Sequence, residues 1–161
     1  EFIREKTYWS QLCLIQVCSD NIEVIIDPLE EEIDLTPFIK ILNKKSVLKV
    51  LHSGRQDIEI FYKISGKIPS PIFDTQVAAM VCGFGDSVGY EKLVDKILKK
   101  KIDKSSRFSN WAKRPLTKQQ LQYAIGDVTH LYEIYPILNN KLKETKRTKW
   151  LDEELKIFQF M

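Results

Sequence analysis

The chain has 161 residues, 43% of them hydrophobic and 29% charged, with a formal net charge of +3. That balance suits a single soluble globular domain with a sizeable core and excludes disorder as the default state. No apolar run approaches the roughly 18 residues of a membrane span, and no signal-like segment opens the chain, so a cytoplasmic location without a membrane partner is expected.

Residues 12–17 and 22–26 are short runs rich in Val and Ile, separated by Ser19-Asp20-Asn21, and predict an antiparallel strand pair. Asp34 or Thr36 can cap a helix with Pro37 in its first turn, running to about Leu42, and residues 47–51 read as the next strand. Ser53 with Gln56 makes a capping box for a helix whose first turn carries Asp57 and whose buried stripe is Ile58, Phe61 and Tyr62. A strand feeding directly into a helix start is where open α/β sheets place ligands.

After Ser70-Pro71 a short segment ends at Phe73, and Asp74 or Thr75 can cap a helix through Ala78, Ala79 and Val81. Asp74 has two readings, helix cap or extra carboxylate near a site. Gly83, Gly85 and Gly89 interrupt the chain, Leu93, Ile97 and Leu98 mark another helix, and residues 99–111 read as an exposed basic loop. Residues 92–118 hold ten Lys or Arg against two Asp, while residues 19–34 hold seven acids and no base. Such polarity either orients nucleic acid or marks solvated faces.

Thr117 with Gln120 makes a second capping box, opening a helix with the apolar line Leu121, Ala124, Val128, Leu131 and Tyr135. Tyr123 and Asp127, four apart, fall off that line and share another face. Pro136 should kink or end this helix, with residues 137–142 starting or continuing a helical segment. Cys13, Cys18 and Cys82 form no Cys-x-x-Cys pair and read as buried thiols in a reducing compartment. No linker or repeat divides the chain, and no GxxxxGK phosphate loop points to a nucleotide cofactor.

Several motifs coincide. Tyr123-x-x-x-Asp127 follows Arg114-Pro115-Leu116-Thr117 within SSRFSNWAKRPLTKQQLQYAIGDV, residues 105–128. Asp57 lies in Leu51-His52-Ser53-Gly54-Arg55-Gln56-Asp57-Ile58-Glu59, and Glu1-Phe2 is followed by LCLIQV at residues 12–17. With Phe73-Asp74-Thr75-Gln76 and Trp150-Leu151-Asp152-Glu153-Glu154, these resemble the Tyr-containing ribonuclease D branch of the DEDD 3′–5′ exonucleases. That branch carries Asp-x-Glu, then Asp, then Tyr-x-x-x-Asp. Its first Asp would sit two residues before Glu1, and Gly126 stands where Ala is usual.

The resemblance implies an α/β fold, a ribonuclease H-like mixed sheet flanked by helices, with the first central strand missing from this chain. Residues 1–161 would then form a single 3′–5′ exonuclease domain, N-terminally incomplete, with a gap between the strand containing Leu14 and the one containing Val50. It also implies two divalent ions, Mg²⁺ or Mn²⁺, held by Glu1, Asp57 and Asp127 in one cleft, with Tyr123 orienting the attacking water.

His52, Trp111 and Arg114 are candidate substrate contacts. His52 either touches the site or is a structural histidine. Trp111 either stacks on a base or anchors its loop, and Arg114 either binds a phosphate or pairs with an acid. His130 follows Asp127, so its placement does not suit a water-orienting role. The expected activity is hydrolysis from the 3′ end of RNA, single-stranded or structured, such as transfer RNA precursors. A DNA 3′–5′ exonuclease and a nucleic-acid-binding pseudoenzyme are the alternatives.

Overall fold

The computed structural model describes residues 1–161 except Glu5, Lys6, Asn21, Lys104 and Met161, and excepting the side chains of Gln159 and Phe160. The Val- and Ile-rich N-terminal runs form antiparallel ladders, β1 (Phe2–Ile3) with β2 (Gln11–Leu12), and β3 (Ile15–Ser19) with β4 (Ile22–Ile26). Of the predicted turn between β3 and β4, Asn21 lies outside the described residues. The apolar run 12–17 is interrupted, because the Glu1 carbonyl accepts from both Cys13 N (2.9 Å) and Leu14 N (3.1 Å). Two residues facing one make the pattern of a β-bulge, which re-aims side chains.

Then come α1 (Thr36–Asn43), β5 (Lys49–Leu51), α2 (Arg55–Ser65), β6 (Ile72–Asp74), α3 (Thr75–Val81) and α4 (Tyr90–Leu98). The chain ends with α5 (Lys118–Glu144), α6 (Thr148–Leu155) and a 3₁₀ turn over Lys156–Phe160. β5 and β6 pair in parallel, Val50 opposite Phe73. The ladders are three separate two-stranded sheets, so the architecture is mixed α/β, and among the described residues β3 and β5 share no ladder. No described helix is long and apolar enough to cross a membrane.

Two compact units result, Glu1–Leu35 with Ile102–His130, and Thr36–Lys101 with Leu131–Met161. The first is centred on buried Cys13, Leu14, Trp111 and Ala124, with Ile3, Ile25, Leu116 and Tyr123 packed on them. The second buries Ile58, Leu93, Ile134, Leu138 and Leu142, and sets Phe73 edge-on to Tyr135 with ring centroids 4.9 Å apart. It also buries Lys49. The Lys49 Nζ donates to the carbonyls of Lys44 (3.0 Å), Val47 (2.8 Å) and Ser70 (2.6 Å), which satisfies all three of its protons.

Several local expectations need correcting. The capping box of Ser53 and Gln56 does not form. Gly54 is the N-cap of α2 with no side-chain cap bond, and Ser53 has φ 54°. The orphan amides are served instead from β6: the buried Asp74 carboxylate accepts from Ser53 N (3.1 Å) and Gly54 N (2.8 Å). It also caps its own helix through Gln76 N (2.8 Å) and Val77 N (3.3 Å), so of its two readings the cap is the one realised. Ile60, not Tyr62, is buried on α2. Leu121 is exposed, and the deep line of α5 runs on as Ile134, Leu138 and Leu142. Over the 27 residues of α5 a line stepped by three and four, averaging 3.5, drifts by about 20° per heptad, so a line set at one end does not carry to the other.

Pro136 lies inside α5 without ending it. Its missing N–H leaves the Tyr132 carbonyl without that intrahelical partner. The box of Thr117 and Gln120 does form: Thr117 N donates to Gln120 Oε1 (3.0 Å) and Gln120 N to Thr117 Oγ1 (3.1 Å). Cys13 and Cys82 are buried free thiols, whereas Cys18 is only half-buried. The α6 helix lacks a side-chain cap and is held by buried Leu151 and by Arg147 Nη1 donating to Val81 O at 2.9 Å.

Two stability changes of opposite sign are expected. Asp74→Asn turns one acceptor oxygen into a donor facing backbone N–H groups and should destabilise by about 2 kcal/mol, read as a lower urea midpoint at unchanged slope. At Gly126 an added Cβ would meet nothing nearer than the His130 ring at 3.7 Å. Gly126→Ala should therefore stabilise by about 0.5–1 kcal/mol in the same measurement.

Candidate active site

On the second unit, β5 runs into α2 through residues 52–54, and this turn fixes Asp57. A Cβ at Gly54 would lie 2.7 Å from the Leu51 side chain, so only glycine lets the helix start this close to the strand. Asp57 then falls in the first turn of α2, where the helix dipole favours a carboxylate. Burial pushes its pKa above the ordinary carboxylate range, and the Asp74 charge adds to that. His52, just before the turn, places Nδ1 2.9 Å from Thr75 Oγ1 and tilts its ring against Tyr90 at 5.2 Å. Thr75 Oγ1 donates its proton to Leu51 O (3.0 Å), so Nδ1 must be the donor to Thr75. Burial lowers the His52 pKa. Its Nε2 is buried with no hydrogen-bond partner among the described residues, so the ring is held through one nitrogen while the other is left with an unmet acceptor.

On the first unit, the bulge at Cys13 and Leu14 sets Glu1, and the capping box sets the start of α5. Tyr123 and Asp127 lie one turn apart on α5 and so occupy one face of it. Tyr123 packs on the core with its ring 6.0 Å from that of Trp111. Burial, with the Asp127 and Glu1 charges, pushes its phenol up to about 12, against a smaller lowering by Arg107. Asp127 is pushed up to about 7 by burial first and by Glu1 second. The Glu1 carboxylate thus opposes the ionisation of Asp127, while the ammonium of residue 1 partly offsets it.

Arg114 takes the structural one of its two readings. Its Nε and Nη2 clasp Asp27, the latter at 2.7 Å from Oδ1, and Nη2 also donates to Cys13 O (2.8 Å). Nη1 donates to Trp111 O (2.8 Å) and Lys113 O (3.0 Å). All five guanidinium donors are spent, which leaves none for a phosphate. The Asp27 carboxyl is held below its usual range chiefly by these bonds. Trp111 is only 3% exposed and anchors its loop in the core, so it offers no face to a base. Both substrate-contact readings are therefore corrected.

Sequence reasoning had no signal for Asp27 as the partner of Arg114, because the two are far apart in the chain. It also passed over Arg107, whose charge reaches Tyr123.

Among the described residues no group of three or more His, Cys, Asp or Glu is gathered tightly enough to hold a metal ion. The chemistry of the donors nonetheless suits one: Glu1 and Asp127 offer hard oxygens whose mutual repulsion a divalent cation would relieve.

The family model that matches this chain is described as a 3′-5′ exonuclease and covers residues 1–143. Ribonuclease D of Bartonella henselae is 50% identical over 157 residues, covering 98% of this chain and 39% of that protein. The crystal structure of Escherichia coli RNase D, described as an exoribonuclease involved in structured RNA processing, superposes with a TM-score of 0.94 at 35% identity, over 99% of this chain and 42% of that one. The Brucella melitensis protein NrnC, solved with bound Mg²⁺, has a TM-score of 0.80 at 26% identity over 92% of this chain and 73% of that one. The chain thus spans about two-fifths of the length of its ribonuclease D relatives. The fold is accordingly the ribonuclease H-like fold of ribonuclease D, and the chain belongs to the 3′-5′ exonuclease family.

Proposed function

We propose that residues 1–161 form a single exonuclease domain that hydrolyses RNA from its 3′ end in a metal-dependent reaction, on single-stranded or structured RNA such as transfer RNA precursors. The observation that carries this reading is the Glu1–Asp127 pair, a part-buried carboxylate raised to about 7 on the helix face that also bears Tyr123. Burial first and the Glu1 charge second disfavour the ionised form of Asp127, and a divalent cation between hard oxygen ligands would relieve both. The ribonuclease D relatives and the Mg²⁺-bound neighbour support the same reading. We place the protein in the cytoplasm, where its thiols stay reduced.

Glu1 and Asp127 would hold one of two ions, Mg²⁺ or Mn²⁺, and Asp57 keeps the ligand role that its motif implies. Ions bound there supply an activated water and stabilise the leaving 3′ oxygen. Tyr123, with a phenol at about 12, stays protonated at neutral pH. It therefore orients the water by a hydrogen bond and does not take its proton.

The deciding experiment digests 3′-labelled and 5′-labelled RNA and DNA with the full-length protein in Mg²⁺, Mn²⁺ or EDTA. Immediate release of the 3′ label, stepwise shortening of the 5′-labelled RNA and silence in EDTA are expected. Faster digestion of DNA would favour the DNA exonuclease, and binding without cleavage in either metal the pseudoenzyme.

Asp127→Asn should abolish cleavage and also change stability with a definite sign. Because the folded-state pKa lies above that of an unfolded carboxylate, about 4, the contribution of Asp127 to stability is fully present below that value and is lost as pH rises through about 7. In EDTA the Asn variant should melt above wild type at pH 8, with the difference closing at pH 4 to 5. Tyr123→Phe should lower kcat by roughly 10- to 100-fold with little change in KM, as loss of a water-orienting hydroxyl requires. An unchanged kcat would return Tyr123 to packing.

A further inference from the structure

Phe108 is 91% exposed, the most of any large apolar side chain described. The loop that carries it is firmly held. Ser106 before it and Trp111 after it are each only 3% exposed. Ser109 N donates to Ser106 O (3.1 Å), closing a turn around the phenyl ring. Gln119, in the first turn of α5, donates to Ser105 Oγ at 2.6 Å, and Ser105 N donates to Asp103 Oδ1 at 2.9 Å. A pinned turn thus holds an aromatic ring out in water, against the hydrophobic effect and with no packing to show for it.

Among the described residues a cation lies beside the ring. The Arg107 guanidinium carbon lies 5.3 Å from the Phe108 centroid, within cation–π range, while most of the ring stays open to solvent. The turn is tied to the start of α5 through Gln119, one helical turn before Tyr123, and lies in the same unit as Tyr123 and Asp127. The surrounding segment, residues 92–118, carries ten Lys or Arg against two Asp.

We propose that Arg107 and Phe108 form a base-stacking platform for single-stranded RNA, with the ring carrying a base and the guanidinium the adjoining phosphate. This rests on the exonuclease reading and gives its substrate a foothold. The platform takes over the contacts expected of Trp111 and Arg114, which the fold commits to packing and to Asp27. An open aromatic face with a cation at its edge matches the alternation of base and phosphate along a strand. Because every base has a π face, the contact tolerates any sequence, as trimming of varied 3′ ends requires.

The test uses the full-length protein with a fluorescein-labelled single-stranded RNA and a series in which an abasic residue replaces each nucleotide near the 3′ end. Binding is measured by anisotropy in Ca²⁺ and cleavage in Mg²⁺. Phe108→Ala should weaken binding by roughly 5- to 100-fold, the range for loss of one base stack, with the loss appearing in KM and not in kcat, and Phe108→Trp should restore it. At one position of the series, the abasic residue should cost wild type the same factor and cost Phe108→Ala nothing. Arg107→Ala should flatten the salt dependence of binding.

If Phe108→Ala binds every RNA of the series as wild type does, the platform is refuted while cleavage leaves the exonuclease reading standing. A loss confined to kcat overturns it equally. If wild type cleaves in neither Mg²⁺ nor Mn²⁺ yet its binding still depends on Phe108, the exonuclease reading falls and the platform stays.

Discussion

Four backbone N–H groups from two helix starts converge on one buried carboxylate, Asp74. The parallel strands β5 and β6 end side by side, and each feeds a helix whose first amides lack intrahelical partners. A single side chain serves both. Its charge also meets the positive ends of both helix dipoles, which is why a buried acid can stay at this place. The left-handed turn at Ser53, the close approach at Gly54 and the position of Asp57 in the first turn all follow from that anchor. It has a cost at Asp57, whose pKa the Asp74 charge helps to raise.

The first unit shows the opposite relation between charge and fold. There Asp27 and Arg114 satisfy one another, while Glu1 and Asp127 are held together against their own repulsion. The first pair makes the scaffold, and in the second burial and a neighbouring carboxylate both oppose the ionisation of Asp127. Sites built for chemistry commonly oppose stability in this way. Tyr123 is alike in this, since burial first and then the Asp127 and Glu1 charges keep its phenol from ionising.

The sequence carried the local signals well where one residue type has one physical use. The box of Thr117 and Gln120 and Pro37 in the first turn of α1 form as read, and the antiparallel pairing of the two N-terminal runs forms with its first strand shifted to Ile15–Ser19. It misled where a partner from another element displaces a local one: Ser53 and Gln56 look like a cap, but Asp74, some twenty residues on, takes the place. The motif resemblance named Glu1, Asp57, Asp127 and Tyr123 as candidates. It could not show that Arg114 is consumed by Asp27, because that bond spans 87 residues and leaves no spacing rule. Nor does hydropathy tell a buried Trp111 from an exposed Phe108 three positions earlier, since both are aromatic and only the turn geometry separates them.

The saturation of Arg114 shapes which sequences this fold can reach. Its donors tie Asp27 beyond β4, Cys13 between β2 and β3, and the loop before α5 into one knot. Lysine there would keep the charge but not the fork, and a neutral residue would strand Asp27. Asp27 changed alone would strand the guanidinium, whose remaining bonds are to carbonyls. Each single step is therefore worse than either end, so the pair is tied by epistasis and drift can replace it only in a double step.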